Sequence, residues 1–208
     1  MHWLMVCGSA AVVIGASLVM ALRSDNIDVD PFHSGGEVRR LSGDHLKLKD
    51  GRVVEFAGLR LPYDDEPNAE KSRGTLTRWI ADEGVRLIFD DERVDGKERV
   101  LAYVYANDTF INERLLREGL AFAKLRHGNK KFAEQFLAAQ NEARKERLGI
   151  WQTITPSTEG SYMLDEVSAT LHRSDCEKVR TAKQPMREIT GTAPGFDAGC
   201  APCGKCKP

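Results

Sequence analysis

Four residues near the C-terminus have the types and spacing to hold a metal ion. His172 and Cys176 are separated by three residues, and Cys203 and Cys206 by two. Cys-x2-Cys is the knuckle spacing of a structural zinc site, and His-x3-Cys is a compatible second half. Four protein donors of this kind close a tetrahedral shell and leave no position open for substrate, so the chemistry they imply is stabilisation of a small module. Two other uses of the same residues remain. Cys200, Cys203 and Cys206 form a Cys-x2-Cys-x2-Cys run which, with Cys176, has the donors for an iron–sulfur cluster. An oxidising compartment would instead pair the four cysteines as disulfides. Outside those uses Cys200 reads as a small core thiol.

A second stretch, "EFAGLRLPYDDEP" at 55–67, runs strand-like residues into a Pro turn followed by three acids. Asp64, Asp65 and Glu66 offer the hard oxygens that calcium takes, although an acidic run in a loop is usually a solvated one. Asp44 follows Gly43 in a turn, where Asp is common for backbone reasons. Arg99 begins a strand. The stretch "KLRHGNKK" at 124–131 is basic, yet the whole chain has 30 Lys and Arg against 31 Asp and Glu, a net charge of −1. A protein that grips nucleic acid through its phosphates usually carries a clear basic excess, so that function is disfavoured.

The elements that must position these residues follow from periodicity. "HLKLKDGRVVEF" alternates at Leu46 and Leu48, turns at Asp50-Gly51 and resumes at Val53 and Val54, a hairpin. Residues 85–91 and 99–106 read as further strands, rich in branched and aromatic side chains. Helical spacing predicts helices over 68–83, 112–118 and 130–148, each followed by Gly. Upstream, residues 3–22 carry no charge and are long enough to span a bilayer. They are read as a transmembrane anchor (1–22), the alternative being a signal peptide cleaved after Val19-Met20-Ala21. Residues 23–36 are a polar tether, 37–152 a barrel-like domain, 153–167 a Thr/Ser/Pro/Gly linker and 168–208 the metal module. The expected class is α+β, with short strands forming a small barrel under helical cover.

The stretches "SGDHLKLKDGRVVEFAGLRLP", "ERVLAYVYANDTFINERLLREGLAFA" and "NEARKERLGIW" resemble the staphylococcal nuclease (thermonuclease) family over about residues 37–152. The resemblance implies an oligonucleotide-binding-type five-stranded barrel with three helices. It also implies a calcium-dependent phosphodiesterase site, in which acidic residues hold the ion, two arginines meet the phosphate and a glutamate handles the attacking water. On that pattern the first metal carboxylate falls on Asp44 and the second arginine on Arg99, both retained. The first arginine falls on Glu55, the second metal carboxylate on Arg60 with Leu61 beside it, and the glutamate on Tyr63. The nucleotide-sandwiching tyrosines fall near Lys97, Leu125 and His127. A constellation of this kind acts as a unit. The expectation is therefore a lost calcium site, a non-catalytic nuclease-like domain, and an ion pair between Glu55 and Arg60.

"HRSDC" and "CAPCGKCKP" resemble the Ada-type metal-binding domain over about residues 168–208. His172 stands where that domain has its methyl-accepting cysteine, so the resemblance carries over the zinc site and not the repair activity. Together these features predict a membrane-anchored accessory protein. Its globular part is expected on the extracytoplasmic (periplasmic) side, with another membrane protein or complex as partner. The competing reading is a tethered nuclease with a rebuilt metal site.

Overall fold

The computed structural model describes residues 37–42, 44–80, 84–126, 128–154, 161–190 and 194–206. The anchor and tether assigned to residues 1–36 lie outside the described residues, as does His127. Among the described residues, no helix is long and apolar enough to cross a membrane.

The first unit runs β1 (Val38–Ser42), β2 (His45–Leu48), β3 (Val53–Phe56), β4 (Leu59–Arg60), α1 (Ala69–Ile80), β5 (Val85–Ile88), β6 (Val100–Ala106), β7 (Thr109–Phe110), α2 (Ile111–Arg117), β8 (Phe122–Ala123) and α3 (Ala133–Lys145), then a 3-10 turn at Gly149–Gln152. The main sheet has the order β1-β2-β3-β6-β5, with β7 pairing β6 and a separate antiparallel pair β4-β8. Period-two alternation sets which side chains enter the core. Leu46 and Leu48 of β2 are buried and Lys47 between them is not. β6 lies between β3 and β5, and its Leu101, Ala102, Tyr103 and Val104 are all buried.

Buried Asn112 ties α2 to this sheet. Its side chain accepts from the Val104 N–H at 2.8 Å and donates to the Ala57 carbonyl at 2.8 Å. The two ends of the sheet meet at one isolated bridge, Glu37 to Gly84. The expected barrel is thus a curled sheet whose edges touch, without a closed ladder among the described residues.

The C-terminal unit contains β9 (Ser161–Asp165), β10 (Thr170–Arg173), the one-turn α4 (Glu177–Arg180), β11 (Arg187–Thr190), the one-turn α5 (Pro194–Asp197) and β12 (Ala201–Pro202). Its sheet has the order β11-β9-β10-β12, with β12 parallel to β10. β9 falls inside the stretch that composition assigned to a linker. Tyr162 and Leu164 are buried there, and both β10 and β11 pair with it.

The linker composition also suggested two separate bodies, but the two units share a core. Phe196 of the C-terminal unit is buried with Phe122, Ala143, Ile150 and Trp151 of the first. Its ring stands 5.2 Å from that of Trp151, at 84°, and 6.2 Å from that of Phe122. A segment with too little apolar surface to fold alone gains that surface from its neighbour.

Candidate metal centre and the face that seats it

The parallel pairing of β12 with β10 brings the two halves of the metal motif together. Leu171 lies opposite Pro202, and the Cys203 N–H donates to the Leu171 carbonyl at 2.8 Å. His172 and Cys203 thus leave adjacent strands. A turn after β10, in which the Cys176 N–H donates to the Arg173 carbonyl at 3.1 Å, places Cys176 at the start of α4. Cys206 comes round the knuckle, and its Sγ accepts from the Arg173 N–H at 3.3 Å. Donor atoms of His172, Cys176, Cys203 and Cys206 all lie within 4.8 Å of one another. Tetrahedral zinc–thiolate bonds of about 2.3 Å place sulfurs about 3.8 Å apart, so little contraction closes the shell.

The surroundings fit a cation. His172, Cys176 and Cys203 are buried, and Nδ1 of His172 has no hydrogen-bond partner. A buried ring nitrogen in that state needs an explanation, and a nearby ion is one. Without an ion, burial pushes the Cys206 thiol up to about 12. A divalent cation would reverse that by favouring the thiolate.

Cys200 is not in the group. It is buried with Leu164, Ala169 and Ile189, where burial pushes its thiol up to about 11. The cysteine set for an iron–sulfur cluster is therefore not assembled among the described residues. Cys176, Cys200, Cys203 and Cys206 are all free thiols rather than disulfides.

Of the positions that the resemblance matched to the nuclease site, Glu55 lies on β3 and Arg60 on β4, whereas Arg99 immediately precedes β6. Asp44 sits in the turn before β2 and pairs with its neighbour His45. Arg99 is enclosed by acids. Its Nε donates to Asp95 Oδ2 at 2.7 Å, its backbone N–H to Asp95 Oδ1 at 2.9 Å, and its Nη2 stands against the Glu55 carboxylate. Burial alone would raise the pKa of Asp95. The hydrogen bonds from Arg99, with a further one from the Lys97 N–H, outweigh it and hold the carboxyl far below its usual range. Burial raises the pKa of Glu55, against the opposing pull of Arg99 and Lys124.

Arg60 is buried. It donates to both carboxylate oxygens of Glu66, at 2.6 and 3.2 Å, to the Leu61 carbonyl at 3.0 Å, and to the Pro202 carbonyl of the C-terminal unit at 3.1 Å. Its guanidinium lies 4.3 Å from the Tyr63 ring centre and 4.6 Å from that of Phe122.

The expected Glu55–Arg60 pair is thus replaced by two pairs, Glu55–Arg99 and Arg60–Glu66. β4 leaves the main sheet to pair with β8, placing Arg60 opposite Phe122 and away from β3. The acidic run divides as well. Asp64 is exposed and pairs with Arg73 at 2.7 Å, whereas Glu66 is buried.

Around Arg60 the first unit forms a seat for the C-terminal segment. The Leu125 N–H donates to the Gly199 carbonyl at 2.8 Å, and Gln140 donates to the Phe196 carbonyl at 2.9 Å. Arg144 pairs with Asp197. Two glycines permit the approach. Gly199, at φ +73°, lies so close to Leu125 that a Cβ would meet its side chain at 2.5 Å, and a Cβ on Gly204 would meet the Tyr63 ring at 2.2 Å. Gln140, Phe196 and the glycines carried no functional signal in the sequence, since their role exists only once the two units touch.

Residues 51–153 match the family described as Staphylococcal nuclease homologue. The chain is 35% identical to the thermonuclease of Staphylococcus intermedius over 123 residues, which cover 55% of this chain and 73% of that one. The chain belongs to the staphylococcal nuclease family.

The thermonuclease of Staphylococcus hyicus is 29% identical over 159 residues, 67% of this chain and 94% of that one. Endonuclease YncB of Bacillus subtilis (strain 168) is 41% identical over 124 residues, 54% of this chain and 59% of that one. Within this nuclease family frame, Arg60, Tyr63 and Leu125 are three positions that the resemblance assigned to catalysis or nucleotide binding. All three contact the C-terminal segment here.

Proposed function

We propose that this chain is a non-hydrolytic member of its family, a membrane-anchored accessory protein whose former catalytic face seats a zinc-bound C-terminal module. The observation that carries the reading is Arg60. The resemblance puts a metal carboxylate there. A buried guanidinium with all its hydrogen bonds directed to Glu66, Leu61 and Pro202 repels calcium and supplies no oxygen. Arg99 supports it, because Asp95 already takes its Nε and Nη2 and the Glu55 carboxylate stands against the same Nη2. His172, Cys176, Cys203 and Cys206 would hold the zinc, whose contribution is structural.

Purified protein is expected to leave single-stranded DNA and RNA intact in the presence of calcium. The second reading, a nuclease, rests on the names of the relatives, which are thermonucleases and endonucleases. Calcium-dependent cleavage that is lost in Asp44→Ala would establish it in place of the first.

The anchor rests on the uncharged stretch at residues 3–22, which is long enough for a bilayer. In this reading the anchor holds the globular part at a membrane, where a second membrane protein is the expected partner, and the resemblance to a commonly exported family supports the periplasmic side. The full chain should stay in the membrane fraction through a carbonate wash. Release into the supernatant, with a mature N-terminus at Leu22, would replace the anchor with a signal peptide.

A further inference from the structure

The knuckle that carries two of the metal donors is wedged against the seat. Pro202, immediately before it, accepts from Arg60 at 3.1 Å. Gly204, within it, lies so close to Tyr63 that a Cβ would meet the ring at 2.2 Å. The backbone between Cys203 and Cys206 therefore has no room to move toward the first unit. A change of shape in the knuckle must lift it off the seat.

The donors that fix this shape are oxidisable. Cys176, Cys203 and Cys206 are thiols, and their sulfurs lie within 4.8 Å of one another. Cys176 and Cys203 are buried, whereas Cys206 is only partly covered, so a small oxidant in solution reaches Cys206 first. A thiolate converted to a sulfenic acid condenses with a neighbouring thiol to a disulfide. Cys203 stands on the same knuckle, at the Cys-x2-Cys spacing that redox-active pairs use. A disulfide sulfur carries no charge to offer a cation. His172 and Cys176 would then be left to fill half of a tetrahedral shell.

We infer that the knuckle is a redox latch: a Cys203–Cys206 disulfide, formed by a hydroperoxide, releases the zinc and unseats the C-terminal segment. The inference rests on the reading of these four residues as a zinc site, and not on the loss of hydrolysis. With hydrogen peroxide, the Cys206 thiolate attacks one oxygen, an S–O bond forms, the O–O bond breaks and hydroxide leaves. The Cys203 thiolate then attacks the Cys206 sulfur, the S–S bond forms, the S–O bond breaks and a second hydroxide leaves. The two sulfurs lose the two electrons that the peroxide gains, and solvent protons convert both hydroxides to water. Unseating takes Phe196 away from Phe122 and Trp151 and removes the Pro202 carbonyl from Arg60. A dithiol reductant and zinc would close the latch again.

The test treats the zinc-loaded full-length protein, in detergent, with a small molar excess of hydrogen peroxide. Freed zinc is read with a chromogenic chelator, the linkage by non-reducing peptide mapping, and the seat by hydrogen exchange. Zinc release is expected together with a Cys203–Cys206 linkage and lost protection at residues 122–125, all reversed by dithiothreitol and added zinc. Cys200→Ser should respond as the parent does, because that thiol lies outside the donor group. Cys206→His keeps a zinc-binding donor but removes the accessible thiol, and should release zinc at least about tenfold more slowly. If that variant fails to hold zinc, the linkage found in the parent decides. Zinc retained by the parent, or released with Cys203 and Cys206 unlinked, overturns the latch. Linkage and release with unchanged exchange at 122–125 overturns the unseating. Absence of zinc from the untreated protein would instead overturn the zinc reading, and the latch with it.

Discussion

Glu66→Ala should destabilise the protein by about 3–5 kcal/mol, the cost of leaving one member of a buried ion pair without its partner. The side chains of Arg60 and Glu66 are 3% and 7% exposed, so water cannot take the place of the carboxylate. Glu66 also accepts the Tyr63 N–H at 2.8 Å and so fixes the turn that carries the Tyr63 ring over Arg60. Asp64→Ala, two residues away, removes a partner that is 86% exposed. It should cost no more than about 1 kcal/mol. Replacing Arg60 and Glu66 together by leucine should recover most of the loss, because the desolvated charge is then gone. Denaturant unfolding of the three variants decides the matter. A Glu66→Ala protein within about 1 kcal/mol of the parent would show that Arg60 is not the closed, buried group described above.

Cys203→Ser is expected to have the larger effect. Structural zinc contributes on the order of 10–16 kcal/mol to small modules, comparable with or above the whole stability of an ordinary domain. Loss of one ligand should therefore unfold residues 161–206 and release the ion. The effect should also reach the first unit. Phe196 is packed against Phe122 and Trp151, and Pro202 caps the Arg60 guanidinium, so unseating the module exposes part of a shared core. Metal analysis should find one zinc equivalent in the parent and none in the variant. Hydrogen exchange should show lost protection at residues 122–125 as well as in β9 to β12. Cys200→Ser, at a thiol outside the donor group, should keep its zinc. Zinc retained in Cys203→Ser, or an unchanged first unit, would contradict this coupling.

The metal motif was legible from the sequence because its spacing is local and its donor types are few. His172-x3-Cys176 and Cys203-x2-Cys206 each fit one turn or knuckle, and the structure joins them through one parallel strand pair. The hairpin and the two longer helices, α1 and α3, were legible because period two and period 3.6 are strong signals over ten or more residues. β4 and β8 were not, being two residues long. Their pairing decides where Arg60 points, so the partner of Arg60 could not be foreseen, and Glu55 was assigned to it in place of Arg99. Glu66 looked like one more solvated acid among three. Burial distinguishes it from Asp64, and burial there depends on β8 and on Pro202, 136 residues further along the chain. The seat itself left no local pattern, since Gln140 and Phe196 are ordinary residues until the C-terminal unit arrives.

We propose that the Arg60 guanidinium stands where the resemblance puts a calcium-binding carboxylate. Calcium titration of the zinc-loaded protein by calorimetry tests it most directly, in parallel with Asp44→Ala. With a guanidinium in place of that carboxylate, the two proteins are expected to give the same featureless heats through millimolar calcium. Saturable binding of one calcium ion in the parent that disappears in Asp44→Ala would contradict the account.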